Sequence, residues 1–145
     1  MNRSTFEDEL EKNGYLVYTN TGDSMFPLIR MNGDLVVIKK SEGPYKKYDV
    51  PLYKRPSGQY VLHRIVKVTR DGGYIICGDN RRIKEKGIED SNIIGVLSSV
   101  IRNGKEIKCH SKPYLVYSRV WNFLFPIRSF FMFFRDLYLY LIKKR

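Results

Sequence analysis

"GDSMFPLIRMNGDLVVIKK", Gly22 to Lys40, is the stretch on which the rest of the chain turns. A polar Asp-Ser-Met-Phe-Pro turn stands just ahead of Asn32-Gly33 and a β-branched run, Asp34 to Lys39. Asn-Gly before alternating apolar residues is a strong turn-then-strand signal, so a strand over 34–39 is expected. The turn itself has two readings. It is either the approach to an ordinary hairpin or a device that holds Ser24 in a fixed, exposed geometry. A serine hydroxyl is nearly inert at neutral pH, so the second reading needs a base from elsewhere in the chain.

Working outward, the same grammar repeats. Strands are expected over 15–19, 48–54, 59–69, 73–77, 92–101 and 105–109. Pro56-Ser57-Gly58, Asp71-Gly72 and Asn103-Gly104 supply the turns. Pro51 places the 48–54 strand at an edge or a bulge. Residues 1–14 read as a short helix, with Ser4 and Glu7 at capping-box spacing and Gly14 placed to end it. Residues 81–91, "RRIKEKGIEDS", read as a charged loop on a solvated surface. The expected architecture is therefore mainly β. A hairpin-built domain over 15–110 lies between an N-terminal helix and a C-terminal helical segment, 111–145.

That last segment differs in composition. From Tyr114 to Ile142 it is rich in Phe, Tyr and Leu, and Pro126, Arg128, Arg135 and Asp136 interrupt it before a spanning length is reached. On a helix from Ile127, the residues Ile127, Phe130, Phe131, Phe134, Leu137, Tyr138 and Leu141 share a broad apolar face, and Arg128, Arg135 and Asp136 a narrow polar one. A helical hairpin packed on its own domain, a homodimer contact and an interfacial membrane contact through residues 113–145 all stay open.

The totals bound the function. The chain has 145 residues and a net charge of +11, with 43% hydrophobic and 14% aromatic residues. It can bury a core and lacks the signature of disorder. The charge suggests an acidic partner, but the basic residues are spread along the chain without a recognised nucleic-acid motif, which argues against a nucleic-acid binder. Cys77 and Cys109 show no metal-ligand spacing, so neither metal nor cofactor is expected. With no signal-peptide pattern at the start, the expected location is cytoplasmic, with the inner membrane surface as an alternative site of action.

Only two histidines could serve Ser24. His110 closes the β region in a polar setting. His63 lies inside the longest alternating run, "VLHRIV", and "CGDN" with Asp79 follows at the end of the next strand. Imidazole is largely neutral at neutral pH and can accept the serine proton, while a carboxylate can hold its tautomer. A strand histidine is more often structural, and only the company of Ser24 and Asp79 lifts His63 above that reading.

At these residues the chain resembles the signal peptidase I and LexA-like serine peptidase superfamily. "GDSMFPLI" with "NGDLVVI" is similar to its nucleophile box, "YDVPLYKRPSGQYVLHRIVKV" and "YIICGDN" to the boxes that follow, and "IEDSNIIGVLSSVIRNGKEI" to its closing segment. The resemblance covers about residues 20–108. It implies a β-rich fold of coiled hairpins with a shallow groove, and a serine endopeptidase that cuts a protein or peptide precursor after small residues. Ser24 falls at the nucleophile, and Gly22, Asp23 and Met25 at the positions that shape its turn and oxyanion hole, with Pro27 beside them. His63 falls where bacterial members carry a lysine base and the endoplasmic-reticulum and archaeal type a histidine. Asp79 falls at the Gly-Asp-Asn aspartate, and Asp34 and Asp49 at structural turn positions.

Four departures accompany the match, and the most important is that the N-terminal membrane helix of signal peptidases is not expected here. The second acidic box expected after Gly-Asp-Asn reads "RRIKEKG", with no acid before Glu85, so a Ser24–His63–Asp79 triad and a plain dyad both stay open. The hydroxyl that some members supply two positions before the nucleophile is replaced by Gly22, which leaves the oxyanion to backbone N–H groups. The glycine before Asp49 is replaced by Tyr48. Two competing readings stand beside the peptidase: a non-catalytic binding module on the same fold, and a LexA-like self-cleaving or nucleic-acid-associated protein. Against the latter, no Ala-Gly or Cys-Gly pair precedes Ser24, and no helix-turn-helix fits the first 20 residues.

Overall fold

The computed structural model describes residues 4–144; the first three residues of the expected N-terminal segment and Arg145 lie outside the described residues. The chain folds as a β body with a short helix before it and two helices after it, as its mainly β patterning leads one to expect. Helix α1 spans Phe6–Asn13. Its capping box is formed by Thr5 and Asp8, one residue on from the expected Ser4–Glu7 pair, and Gly14 closes it in the left-handed region at φ 75°.

Nine strands follow: β1 Tyr15–Thr19, β2 Asp34–Lys39, β3 Pro51–Lys54, β4 Tyr60–Leu62, β5 Arg64–Val68, β6 Tyr74–Cys77, β7 Glu85–Ile88, β8 Ile93–Arg102 and β9 Lys105–Lys108. The larger sheet runs β1-β2-β8-β3-β4, with β9 also paired to β8, and the smaller runs β5-β6-β7. All the pairings are antiparallel. Strand β2 shows why the opening stretch governs the fold. Asp34, Val36 and Ile38 face inward while Leu35 and Lys39 face out, the period of two that one buried face demands. Val36 and Ile38 join Leu10, Met25, Ile29, Leu52 and Val100 in the main core. A second cluster of Tyr53, Ile65, Tyr74 and Ile76 lies under the smaller sheet.

Three expected elements differ. The run 59–69 is not one strand. It breaks at His63, where the chain leaves the larger sheet at Leu62 and enters the smaller one at Arg64. The expected 48–54 strand begins only at Pro51, because Tyr48 sits at φ 79°, outside the extended region. The charged segment 81–91 is likewise not all loop: it forms β7 and a single 3₁₀ turn, Asp90–Asn92.

At the C-terminal end, α2 spans Lys112–Phe123 and α3 Phe125–Lys143, with Pro126 in the first turn of α3. Proline is tolerated there because its missing N–H has no helical partner to lose. No helix among the described residues is long and apolar enough to cross a membrane.

Gly95 lies at a close crossing in the sheet. A Cβ there would stand 2.7 Å from Ile38 Cγ2 and 2.8 Å from the Lys39 carbonyl oxygen. Gly95→Ala is expected to cost about 1–3 kcal/mol through overpacking against backbone. A fall in the urea midpoint with an unchanged slope would show it.

Candidate active site

The turn that carries Ser24 is held from both ends. Met25 is buried, and its sulfur accepts the Asp79 N–H at 3.4 Å. The Ser24 carbonyl accepts the Asn80 N–H at 2.8 Å, and Asn80 Nδ2 donates to the Asp23 carbonyl at 3.2 Å. Asp23 Oδ1 accepts from Arg81 Nη2 at 2.6 Å. Past the turn, Arg102 Nη2 donates to the Leu28 carbonyl at 2.9 Å and to Asp34 Oδ2 at 2.6 Å. Asp34, fully buried, also accepts the Arg30 N–H at 2.8 Å. Asp34 therefore braces the chain leaving the turn. Asp49 Oδ2 caps its own turn by accepting the Lys46 N–H at 3.0 Å.

His63 reaches the same place because it sits at the break between sheets. Ser24, His63 and Gly22 line one groove of about 630 Å³, with Tyr18 and Thr19 of β1 on one side and Tyr60 and Leu62 of β4 on the other. Gly78 lets the two catalytic candidates approach. A Cβ on Gly78 would lie 2.6 Å from the Ser24 carbonyl oxygen and 3.1 Å from His63 Nε2, so the turn and the ring face each other across the space of one missing methyl. Among the described residues no hydrogen bond joins the Ser24 hydroxyl to the ring. Gly22 has nothing within 4 Å of where a Cβ would stand, so its position is open toward solvent.

The other face of the ring meets a carboxylate, and it is Glu85. His63 Nδ1 is buried without a hydrogen-bond partner and lies 3.7 Å from Glu85 Oε1. Glu85, at the start of β7, is itself clamped by the Arg55 guanidinium. Burial, the largest single influence, pushes the Glu85 carboxyl up, but the hydrogen bond and charge of Arg55, with smaller contributions from Tyr53 and His63, together outweigh it and hold the carboxyl below its ordinary value. Burial drives His63 the other way, lowering its pKa to about 4 against the opposing pull of Glu85. The ring is thus neutral at neutral pH.

Asp79, expected to orient the histidine, is occupied elsewhere. Its two carboxylate oxygens accept from Arg64 Nε and Nη2, each at 2.8 Å, and Oδ2 also accepts from the Tyr117 hydroxyl at 2.8 Å. Arg64 and Asp79 are each only 1% exposed. The Asp79 carbonyl accepts from Trp121 Nε1 at 2.9 Å and from Arg128 Nη1 at 2.7 Å. Every strong acceptor of Asp79 therefore points into a bracket that binds α2 and α3 to the β body. Glu85 is the acid that the chain offers where a second acidic box was expected. Its place in a charge run hid it, since only strand pairing of 85–88 with β6 turns it toward His63.

The remaining candidates fall outside this group. His110 lies near Arg119 and Lys47 in a separate groove. Cys77 and Cys109 are free thiols, each pushed up to about 11 by burial. No cluster of metal-ligating side chains occurs among the described residues. No protein-family model matches the chain, no curated protein matches it significantly, and neither does any solved structure.

Two measurements separate the acids and probe the ring. Asp79→Ala leaves a buried guanidinium without its carboxylate and is expected to cost about 3–5 kcal/mol in chemical denaturation, whereas Glu85→Gln, on a half-buried side chain, costs under about 1 kcal/mol. For His63 the folded pKa lies below the unfolded one, so the stability of the neutral ring is whole above about pH 6.5 and is lost as pH falls toward 4. A full shift of that size is worth roughly 3 kcal/mol. Unfolding free energies taken at about pH 7 and about pH 4.5 should fall by less in His63→Gln than in the wild type.

Proposed function

We propose that this chain is a serine endopeptidase that cleaves a protein or peptide precursor, with Ser24 as nucleophile and His63 as general base. The observation that carries this reading is the orientation of the His63 ring. Nε2 faces the nucleophile turn across Gly78, and Nδ1 faces the Glu85 carboxylate. Glu85 then takes the orienting role for which the sequence offered Asp79, and Asp79 takes a structural one.

In the acylation step the Ser24 oxygen attacks the scissile carbonyl carbon and its proton passes to His63 Nε2. The carbonyl π electrons move onto oxygen, making the tetrahedral oxyanion. Collapse breaks the C–N bond, and His63 returns the proton to the departing amine. Water then repeats the sequence against the acyl-enzyme and releases the acid product. A base with a pKa near 4 is unprotonated and ready but intrinsically weak, and the Glu85 carboxylate stabilises the imidazolium as it forms. The Ser24 N–H has no acceptor in the described turn and is suited to meet the oxyanion.

The groove supports a peptide substrate. Strands β1 and β4 each pair on one side only, and both flank Ser24. An extended segment can add main-chain hydrogen bonds to such edges. Two free thiols accord with a reducing compartment, and we place the activity in the cytoplasm. The missing Ser24–His63 hydrogen bond favours one alternative, a binding module that retains the groove without turnover. Apo catalytic bonds are often long and tighten with substrate, so the peptidase reading stands ahead of it.

The test is a mixture of diverse peptides, with products sequenced by mass spectrometry. The wild type is expected to yield discrete cuts after small residues. Ser24→Ala and His63→Ala should lose at least about a thousandfold in rate, and Glu85→Gln about ten- to a hundredfold. The rate should hold nearly level from neutral pH down to about pH 5, since the base stays unprotonated there. Identical product lists from the wild type and Ser24→Ala would leave the binding module as the better description.

A further inference from the structure

Helix α3 carries half of the exposed large hydrophobic side chains among the described residues. Arg128, Met132, Arg135 and Asp136 turn toward the β body. Arg128 donates to the Asp79 carbonyl at 2.7 Å, Met132 is buried, Arg135 donates to Asn80 Oδ1 at 2.8 Å, and Asp136 accepts from Arg82 at 3.3 Å. At 100° per residue these four occupy about 100° of the helix circumference, while the exposed apolar residues from Ile127 to Ile142 sweep about 200°. Phe130, Phe131, Phe134, Leu137, Tyr138 and Leu141 are all exposed, Phe131 at 66%. Even Leu139, one turn past Asp136 on the body-facing side, is 55% exposed. The helix is therefore pinned along one polar edge and offers the rest of its surface outward.

The charge around this surface has one sign. Residues 111–145 hold seven Lys or Arg against a single acid, Asp136, a net +6 out of the chain's +11. Asp136 is moreover paired with Arg82 and Arg135. Lys143 and Lys144 stand exposed beyond the last apolar turn. We infer that α3 lies flat in the surface of an anionic lipid membrane, its apolar face in the acyl–headgroup boundary and the β body held above it by the Arg128–Asp136 edge. A broad apolar arc with aromatic residues and flanking cations suits that boundary, and each nearby cation adds attraction to anionic lipid. A second copy of the chain is a poorer occupant. A helix seam uses a narrower stripe than this one, and two such copies would bring +6 against +6.

This orientation sets the Ser24 turn close to the docked helix. Arg135 bonds Asn80, and Asn80 bonds both Asp23 and the Ser24 carbonyl, so the nucleophile turn is two hydrogen bonds from the docked helix. The exposed Ile83, next to Arg82, stands on the same side.

Flotation of the full chain with phosphatidylcholine vesicles and with mixed phosphatidylcholine–phosphatidylglycerol vesicles tests the inference. The chain is expected to float with the mixed vesicles, to bind the neutral ones far less, and to be released as salt is raised. Phe130→Glu with Phe134→Glu should weaken binding at least about tenfold, and Lys143→Gln with Lys144→Gln should erase most of the preference for the anionic lipid. These side chains point outward, so circular dichroism of the variants should match the wild type. Ser24→Ala should float like the wild type, which keeps this result apart from that of the peptidase reading. Recovery of the wild type in the soluble fraction with both vesicle types would overturn the inference. So would flotation indifferent to the Phe variants, or a dimer in sedimentation velocity that those variants dissociate without any vesicle binding.

Discussion

The buried pair Arg64–Asp79 is the constraint on which the rest of the structure depends. Removing two charges from water costs several kcal/mol per ion, and such a pair is tolerable only when every lone pair and proton is satisfied. Here the satisfaction is extensive. Arg64 uses Nε and Nη2 on the carboxylate and Nη1 on the Tyr48 carbonyl and the Tyr114 hydroxyl, at 3.0 and 3.1 Å. Tyr117 completes the carboxylate, and burial followed by the charge of Asp79 raises its own pKa so that it remains a donor. The pair thus joins β5, the end of β6 and α2 in one network. It also sets the neighbouring residues, because His63 precedes Arg64 and Gly78 precedes Asp79.

Much of the architecture was legible in sequence because it follows from short-range rules. Strand β2 declared itself by Asn-Gly and alternation, the β8–β9 hairpin by Asn103-Gly104, and the end of α1 by Gly14. The helix cap was read one residue early because Ser4 and Thr5 are chemically equivalent candidates, and only the backbone decides which carries the cap. The break at His63 was not legible. Alternation in "YVLHRIV" continues through it, and what ends the strand is a change of sheet partner, which is a long-range fact.

The same limit applies to the candidate site. Ser24 and His63 stand out by residue type and order, Gly22, Asp23 and Met25 by the resemblance, and they line or brace one groove. The carboxylate that faces His63 is Glu85, where residue order points to Asp79, and the reason is physical. In sequence Asp79 and Glu85 are both acids downstream of His63, and chain distance favours Asp79. Arg64 directly follows His63 in the chain. Once buried it demands a carboxylate, and Asp79 is the one within its reach, which leaves the imidazole to Glu85. Tyr48 stands at φ 79°, a conformation that glycine adopts more readily. Its ring is flanked by Lys47 and Arg119 and its carbonyl is held by Arg64. These contacts offset a backbone cost of order 1 kcal/mol or more.

The Asp79 carbonyl, held at once by Trp121 of α2 and Arg128 of α3, makes the two helices inseparable from the loop they cover. A chain shortened before Tyr114 would bare the Arg64 guanidinium on the side of the tyrosines and leave that carbonyl without its donors. The loop carrying Gly78 and Asn80 would then lose its backing just where it shapes the space between serine and imidazole. The C-terminal helices in this sense back the loop that separates the serine turn from the imidazole, and displacing either helix would strain the hydrogen bonds that hold it.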